Sequence, residues 1–134
     1  MQEYLNKEAY DLSMGQKQRI TIAGILSIKP KYIVMDEPTA MLDPEGKQEI
    51  KKIVEDLKKQ GYTIVYITNV IGEIFFSDRV LLLENGKIEK QFHTKDILNN
   101  TDFLRKKGMI IPKTIELVEK LKKEGNEIDF KDLV

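Results

Sequence analysis

Lys31-Tyr32-Ile33-Val34-Met35-Asp36-Glu37-Pro38-Thr39 is the stretch on which the fold turns. Its continuous apolar centre, closed by an acid, predicts a strand over 31–36 that is buried on both faces, as in a parallel sheet. Upstream, a helix capped by Ser13 runs to about Ile28 and is stopped by Pro30, because a residue before proline is pushed out of the α region. Downstream, Asp43 caps a second helix, with Pro44 at its first position and Glu45 at the positive end of the helix dipole. Ile50, Ile53, Val54 and Leu57 then recur at helical spacing, and Gly61 ends the element. The β-branched and aromatic run from Tyr62 to Thr68 predicts a second buried strand. Strands alternating with helices make this an α/β chain: a parallel sheet with flanking helices.

The remainder adds smaller parts. A short amphipathic helix over 70–77 leads to a third strand, Arg79 to Glu84. Asn85-Gly86 is a type I′ hairpin signal, and Lys87 to Phe92 returns antiparallel. Two short helices and a longer one follow, the last beginning near Pro112 with Ile115, Val118 and Leu121 on one face. Residues 2–10 read as the end of a short helix and a loop, so the chain opens part-way through an element.

Bulk properties narrow the function classes. A chain of 134 residues with 41% hydrophobic and 33% charged residues reads as soluble and globular. Its 22 Lys and Arg balance 22 Asp and Glu, which argues against an extended nucleic-acid-binding surface. With no cysteine, neither a disulfide framework nor a thiolate metal site is available. The polar first residues carry no secretory signal, and no apolar run approaches the roughly 18–20 residues of a membrane helix. The expectation is a cytosolic protein that meets a membrane only through a partner.

Two short stretches carry chemistry. Leu12-Ser13-Met14-Gly15-Gln16 opens the first helix, where a hydroxyl, a glycine that admits close approach and free N–H groups suit an anion. An ordinary N-cap would look the same. Asp36 and Glu37 stand at the C-terminal end of the first strand, the edge where open α/β sheets bind ligands. Asp36 suits Mg²⁺, usually through water, and Glu37 suits polarising or deprotonating an attacking water. Two solvated acids at a strand end are the plainer alternative.

Taken together, these stretches closely resemble the ABC ATPase family over about residues 1–92. Leu12 to Gln16 matches its signature motif, Tyr32 to Glu37 its Walker B strand, and Ala40 to Asp43 its D-loop. The resemblance implies a nucleotide-binding domain in which the signature of one subunit closes over ATP held by the P-loop of another. Ser13, Gly15, Gln16 and Asp43 are then the cofactor-binding residues for ATP, Asp36 the Mg²⁺ residue, and Glu37 the base at the chain's own site. The family's histidine after the next strand is matched here by Asn69, which can donate a hydrogen bond to phosphate but cannot become cationic.

Other departures matter too. No Gly-x-x-x-x-Gly-Lys followed by Ser or Thr is present, and Gly46-Lys47-Gln48 reads instead as the start of a helix. The family's Q-loop is missing as well, and Met14 stands where a glycine is often found. By the resemblance, the P-loop strand belongs between the strands at 62–68 and 79–84. The chain is therefore expected to be the C-terminal half of a P-loop NTPase-type sheet, as a fragment, a truncated frame or one part of a split protein. Residues 93–134 form a helical tail, and its Gly108-Met109-Ile110-Ile111-Pro112 run and following helix resemble energy-coupling-factor ATPases, which power uptake of vitamins, cobalt or nickel. That likeness implies a second ATP-binding subunit, a membrane-embedded subunit, and a place on the cytoplasmic face of the cell membrane as a peripheral protein. A non-catalytic module that donates its signature helix to a partner, or an inactive remnant, is the alternative. An ABC ATPase acting on DNA or the ribosome fits less well, given the charge balance.

Overall fold

The computed structural model describes residues 8–125, which divide into two compact units with the boundary between Ile67 and Thr68. Most of the segment 2–10, read above as a helix end and loop, lies outside the described residues. Its described part enters a 3-10 turn at Ala9–Asp11.

In the first unit, α1 spans Met14–Ser27 and β1 spans Tyr32–Asp36. Lys29, at φ 49°, leaves the right-handed helix just before Pro30. Helix α2 follows over Pro44–Lys59, then β2 over Thr63–Ile67. The start of α2 is built as its sequence dictates: Asp43 Oδ1 accepts from Gly46 N at 2.8 Å, and Pro44 needs no partner at the first position. Its end is a Schellman closure. Gly61, at φ 87°, lets Gly61 N donate to Lys58 O and Tyr62 N to Leu57 O. Strands β1 and β2 are parallel, with Tyr32 opposite Thr63 and Asp36 opposite Ile67.

The predicted burial of both strands is corrected here. Along β1 only Ile33 and Met35 are buried, while Tyr32 and Val34 are 61% and 64% exposed. No residue of β2 is fully buried, and Val65 and Ile67 lie on the exposed side with Tyr32 and Val34. A run of apolar residues reads alike whether one or two layers cover it; here one face packs and the other stays open. Ile50, Val54 and Leu57 form the buried stripe of α2, whereas α1 buries only Ile22.

In the second unit the segment predicted as a short amphipathic helix is a 3-10 helix, Ile71–Phe76, so its position holds and its winding is tighter. Strands β3 (Arg79–Glu84) and β4 (Lys87–His93) form the hairpin. Asn85 and Gly86 both adopt positive φ, 51° and 74°, as a type I′ turn demands. A 3-10 helix over Thr94–Asn100, then α3 (Thr101–Lys106) and α4 (Lys113–Lys123), complete the unit. Ile71, Phe92, Ile97, Leu104, Ile111 and Ile115 make its core, each burial contributing about 1.5–3 kcal/mol before entropy is counted. Glu119 of α4 accepts from Arg105 and from Thr101, tying α4 to α3. Lys107 binds Glu84 and Glu89 of the hairpin, the latter at 3.0 Å.

The expected fold class is therefore present as a small parallel sheet with helices, an antiparallel hairpin and a helical tail. Among the described residues β2 pairs with β1 alone and β3 with β4 alone.

Candidate functional site

The start of α1 is fixed by a capping box. Ser13 Oγ accepts from Gln16 N at 3.2 Å, and Gln16 Oε1 accepts from Ser13 N at 2.9 Å. Ser13-x-x-Gln16 is the sequence signature of such a box, a signal the motif reading passed over. It occupies the carbonyl of Gln16 and leaves its amide hydrogens as donors. Lys17 N bonds to Ser13 O, so the N–H groups of Met14 and Gly15 are those with no acceptor among the described residues.

Both residues line a cavity of about 380 Å³ shared with the start of α2, together with Ser13, Arg19, Asp43, Glu45 and Glu49. Met41 stands at it too, and Met14 and Met41 are 53% and 87% exposed. Two helix starts, each favouring negative charge, thus open into one space. Its side chains set one arginine against three carboxylates, and Arg19 is already paired with Glu49. A free polyanion meets net negative charge here. What the cavity itself offers an anion is the two helix starts and an arginine already paired.

Asp36 and Glu37 lie apart from that cavity. Asp36, exposed at the end of β1, lines a separate space of about 160 Å³ with Gln18, Ile22 and Ile33. Glu37 is partly buried and takes φ 46°, while its N–H donates to Ile67 O at 2.9 Å, one bond beyond the strand ladder. Ala40 N then donates to Glu37 O, and Leu42 N to Thr39 O, winding the chain back towards Asp43. Asp36 fits Mg²⁺ as a single carboxylate that needs phosphate oxygens to complete the shell, the usual way this ion is bound. No group of three potential metal-binding side chains occurs among the described residues.

Asn69 belongs to the second unit. It is exposed, in the turn after Ile67, where Thr68 Oγ1 accepts from Val70 N at 3.0 Å and donates to Glu73 Oε2 at 2.7 Å. Of the site residues read from the sequence, Ser13, Gly15 and Asp43 line one cavity, with Gln16 bound to Ser13 beside it. Asp36 and Glu37 are neighbours at the strand end. Arg19 follows the signature as part of the motif pattern, but Glu49 and its pairing with Arg19 across two helices escaped the sequence because that contact is not local. His93, the lone histidine, is exposed at the end of β4 opposite Arg79. No described helix is long and apolar enough to cross a membrane.

The chain is similar to known proteins in sequence and in structure. Residues 1–40, which include both α1 and β1, match the family described as ABC transporter. The chain is 41% identical over 129 residues to the energy-coupling factor transporter ATP-binding protein EcfA1 of Caldanaerobacter subterraneus subsp. tengcongensis, covering 96% of this chain and 47% of that protein. Among solved structures it is similar to cbiO1 from Clostridium perfringens, described as part of the ABC transporter complex cbiONQ. There the TM-score is 0.62 at 34% identity, over 84% of this chain and 46% of that one. It is also similar to the dimeric structure of MJ0796, a bacterial ABC transporter cassette, with TM-score 0.62 and 31% identity over 69% of this chain and 40% of that one.

Motif order, fold and likeness point to one class: over nearly its whole length the chain is similar to ATP-binding proteins of ABC transporters. It spans about half the length of the curated relatives it matches. Within the class its likeness is to the energy-coupling factor transporter ATP-binding proteins.

Proposed function

We propose that this chain supplies the signature helix, the D-loop and the strand-end carboxylates of an ATP-binding subunit in an ABC-type uptake transporter of the energy-coupling-factor kind. Its work is to couple ATP hydrolysis to import. One observation carries the reading: Ser13, Gly15 and Asp43 share a cavity into which Asp36 and Glu37 do not open. A subunit that serves two nucleotides, one of its own and one held by a neighbour, needs its site residues divided in this way.

On this reading Ser13, Gly15 and Gln16 meet the phosphates of ATP held by the P-loop of a second ATP-binding subunit, and Asp43 fixes the adjoining loop. Asp36 holds Mg²⁺ together with phosphate oxygens. Glu37 polarises the attacking water, and Asn69 donates a hydrogen bond to a phosphate oxygen. Phosphoryl transfer asks little more of a protein than such positioning and charge neutralisation. Residues 1–92 act as the nucleotide-binding part and 93–134 as the tail. The partners are the second ATP-binding subunit and a membrane-embedded subunit, with the chain peripheral on the cytoplasmic face.

A second reading has its own support. Asn69 stands where the resembling family carries a histidine. The chain by itself would then donate its signature helix to a partner's ATP and hydrolyse none. Mg-ATP turnover by a P-loop-bearing ABC subunit, measured with and without this chain, tests both. A rise in turnover on adding the chain supports either reading, and no rise refutes both. With the chain joined to a compatible P-loop half, Glu37→Gln lowering turnover favours the catalytic reading; no effect of Glu37→Gln favours the donor.

A further inference from the structure

Arg19 and Glu49 occupy matching places. Each is six residues beyond its helix's N-cap, Ser13 for α1 and Asp43 for α2. Arg19 Nη1 meets Glu49 Oε1, and both side chains line the cavity that the two helix starts share. Helix α1 needs such a tie. Ile22 is its one fully buried residue, and Ile20 and Ile25 are 39% and 40% exposed, so apolar packing holds its first turns weakly. No other ion pair joins α1 to α2 among the described residues; the pairs Lys51–Glu55 and Lys59–Asp56 lie within α2.

We propose that Glu49 is a positioning residue: through Arg19 it holds the start of α1 level with the start of α2, and so sets the geometry of the signature cavity. Glu49 touches no nucleotide in this role. Its carboxylate also neutralises the one arginine of the cavity, so the helix-start amides of Met14 and Gly15, rather than a mobile guanidinium, are what the cavity offers a phosphate. A pair with 25% and 40% exposed side chains is a modest tether, and its loss loosens the helix start without unfolding the chain.

The consequence for turnover rests on the function proposed above; the geometric claim does not. Because the chain has no cysteine, spin labels attach at chosen sites alone. Lys17→Cys and Lys47→Cys place one label on an exposed position near the start of each helix. The label-to-label distance distribution is expected to be narrow in the parent, broad in Glu49→Ala, and narrow again in the charge swap Arg19→Glu with Glu49→Arg. Glu55→Ala, which removes a pair within α2, leaves the distribution as in the parent. An unchanged width in Glu49→Ala, or no recovery in the swap, overturns the proposal. In the partner assay Glu49→Ala lowers kcat by about two- to fivefold with KM for ATP held, and the swap restores it. If the parent chain fails to stimulate the partner, the proposed function falls and the label distances still decide the role of Glu49.

Discussion

Replacing Ser13 separates what this residue does for the helix from what it does for a ligand. Ser13→Ala removes the hydroxyl that accepts from Gln16 N at 3.2 Å and leaves Gln16 Oε1 holding Ser13 N from one side only. Loss of such a cap costs about 1 kcal/mol, roughly a fivefold rise in local opening at 298 K. Since α1 buries only Ile22, that energy is lost locally and global stability changes little. Amide exchange followed by NMR reads it directly: Gln16 and Lys17 exchange about fivefold faster, while Val54 and Leu57 of α2 keep their rates. Ser13→Asp is the informative contrast. Aspartate caps as well as serine and favours the positive helix end, so exchange stays at the parental level. It also adds a fourth carboxylate to a cavity that already holds Asp43, Glu45 and Glu49. Stimulation of a P-loop-bearing partner is therefore lost in Ser13→Asp although its helix start is intact. If Ser13→Asp stimulates as the parent does, Ser13 is a cap and nothing more, and the phosphate role assigned to it is wrong.

Other outcomes follow from the same structure. Leu104→Ala, at a site 2% exposed in the second unit's core, is expected to cost about 2–5 kcal/mol, read as a lower denaturation midpoint at unchanged m-value. Glu119 has its pKa held below the usual glutamate value, first by the hydrogen bond from Arg105, with help from Thr101 and from the charges of Arg105 and Lys123, and against the effect of burial. Its contribution to stability is therefore complete above the ordinary glutamate range and is lost as pH falls through the lowered pKa. The melting-temperature gap between the parent and Glu119→Gln should be open at neutral pH and close in acid; a gap that is constant with pH contradicts this. Under the proposed function, Asn69→His in a chain joined to a compatible P-loop half is expected to raise ATP turnover, and steady-state hydrolysis checks this.

Much of the fold could be read locally. Ser13 and Asp43 as caps, Pro44 at the first helical position, Gly61 as a helix stop and Asn85-Gly86 as a turn are each decided by a residue and its near neighbours. What failed needed long-range information. The apolar run through Tyr32 and Val34 does not say how many layers cover it, and one face proved open. The segment 71–76 has an amphipathic pattern that a 3-10 helix satisfies as readily as an α-helix. Of the site, the positions of Ser13, Gly15, Asp36, Glu37 and Asp43 were legible because the motifs sit at helix starts and a strand end. The cavity shared by Ser13, Gly15 and Asp43, apart from the one that Asp36 lines, and the bridge from Arg19 to Glu49 became visible only once α1 and α2 were packed.

Glu37 leaves β1 at φ 46°, in a region that aspartate and asparagine enter more readily than glutamate does. Shortening it to aspartate would relax the turn and at the same moment retract the carboxylate by one methylene. Robustness of the loop and reach of the acid therefore pull in opposite directions at a single position. Variants chosen for thermal endurance alone would drift towards the shorter acid, and, under the role proposed for Glu37, those chosen for ATP turnover would keep the longer one.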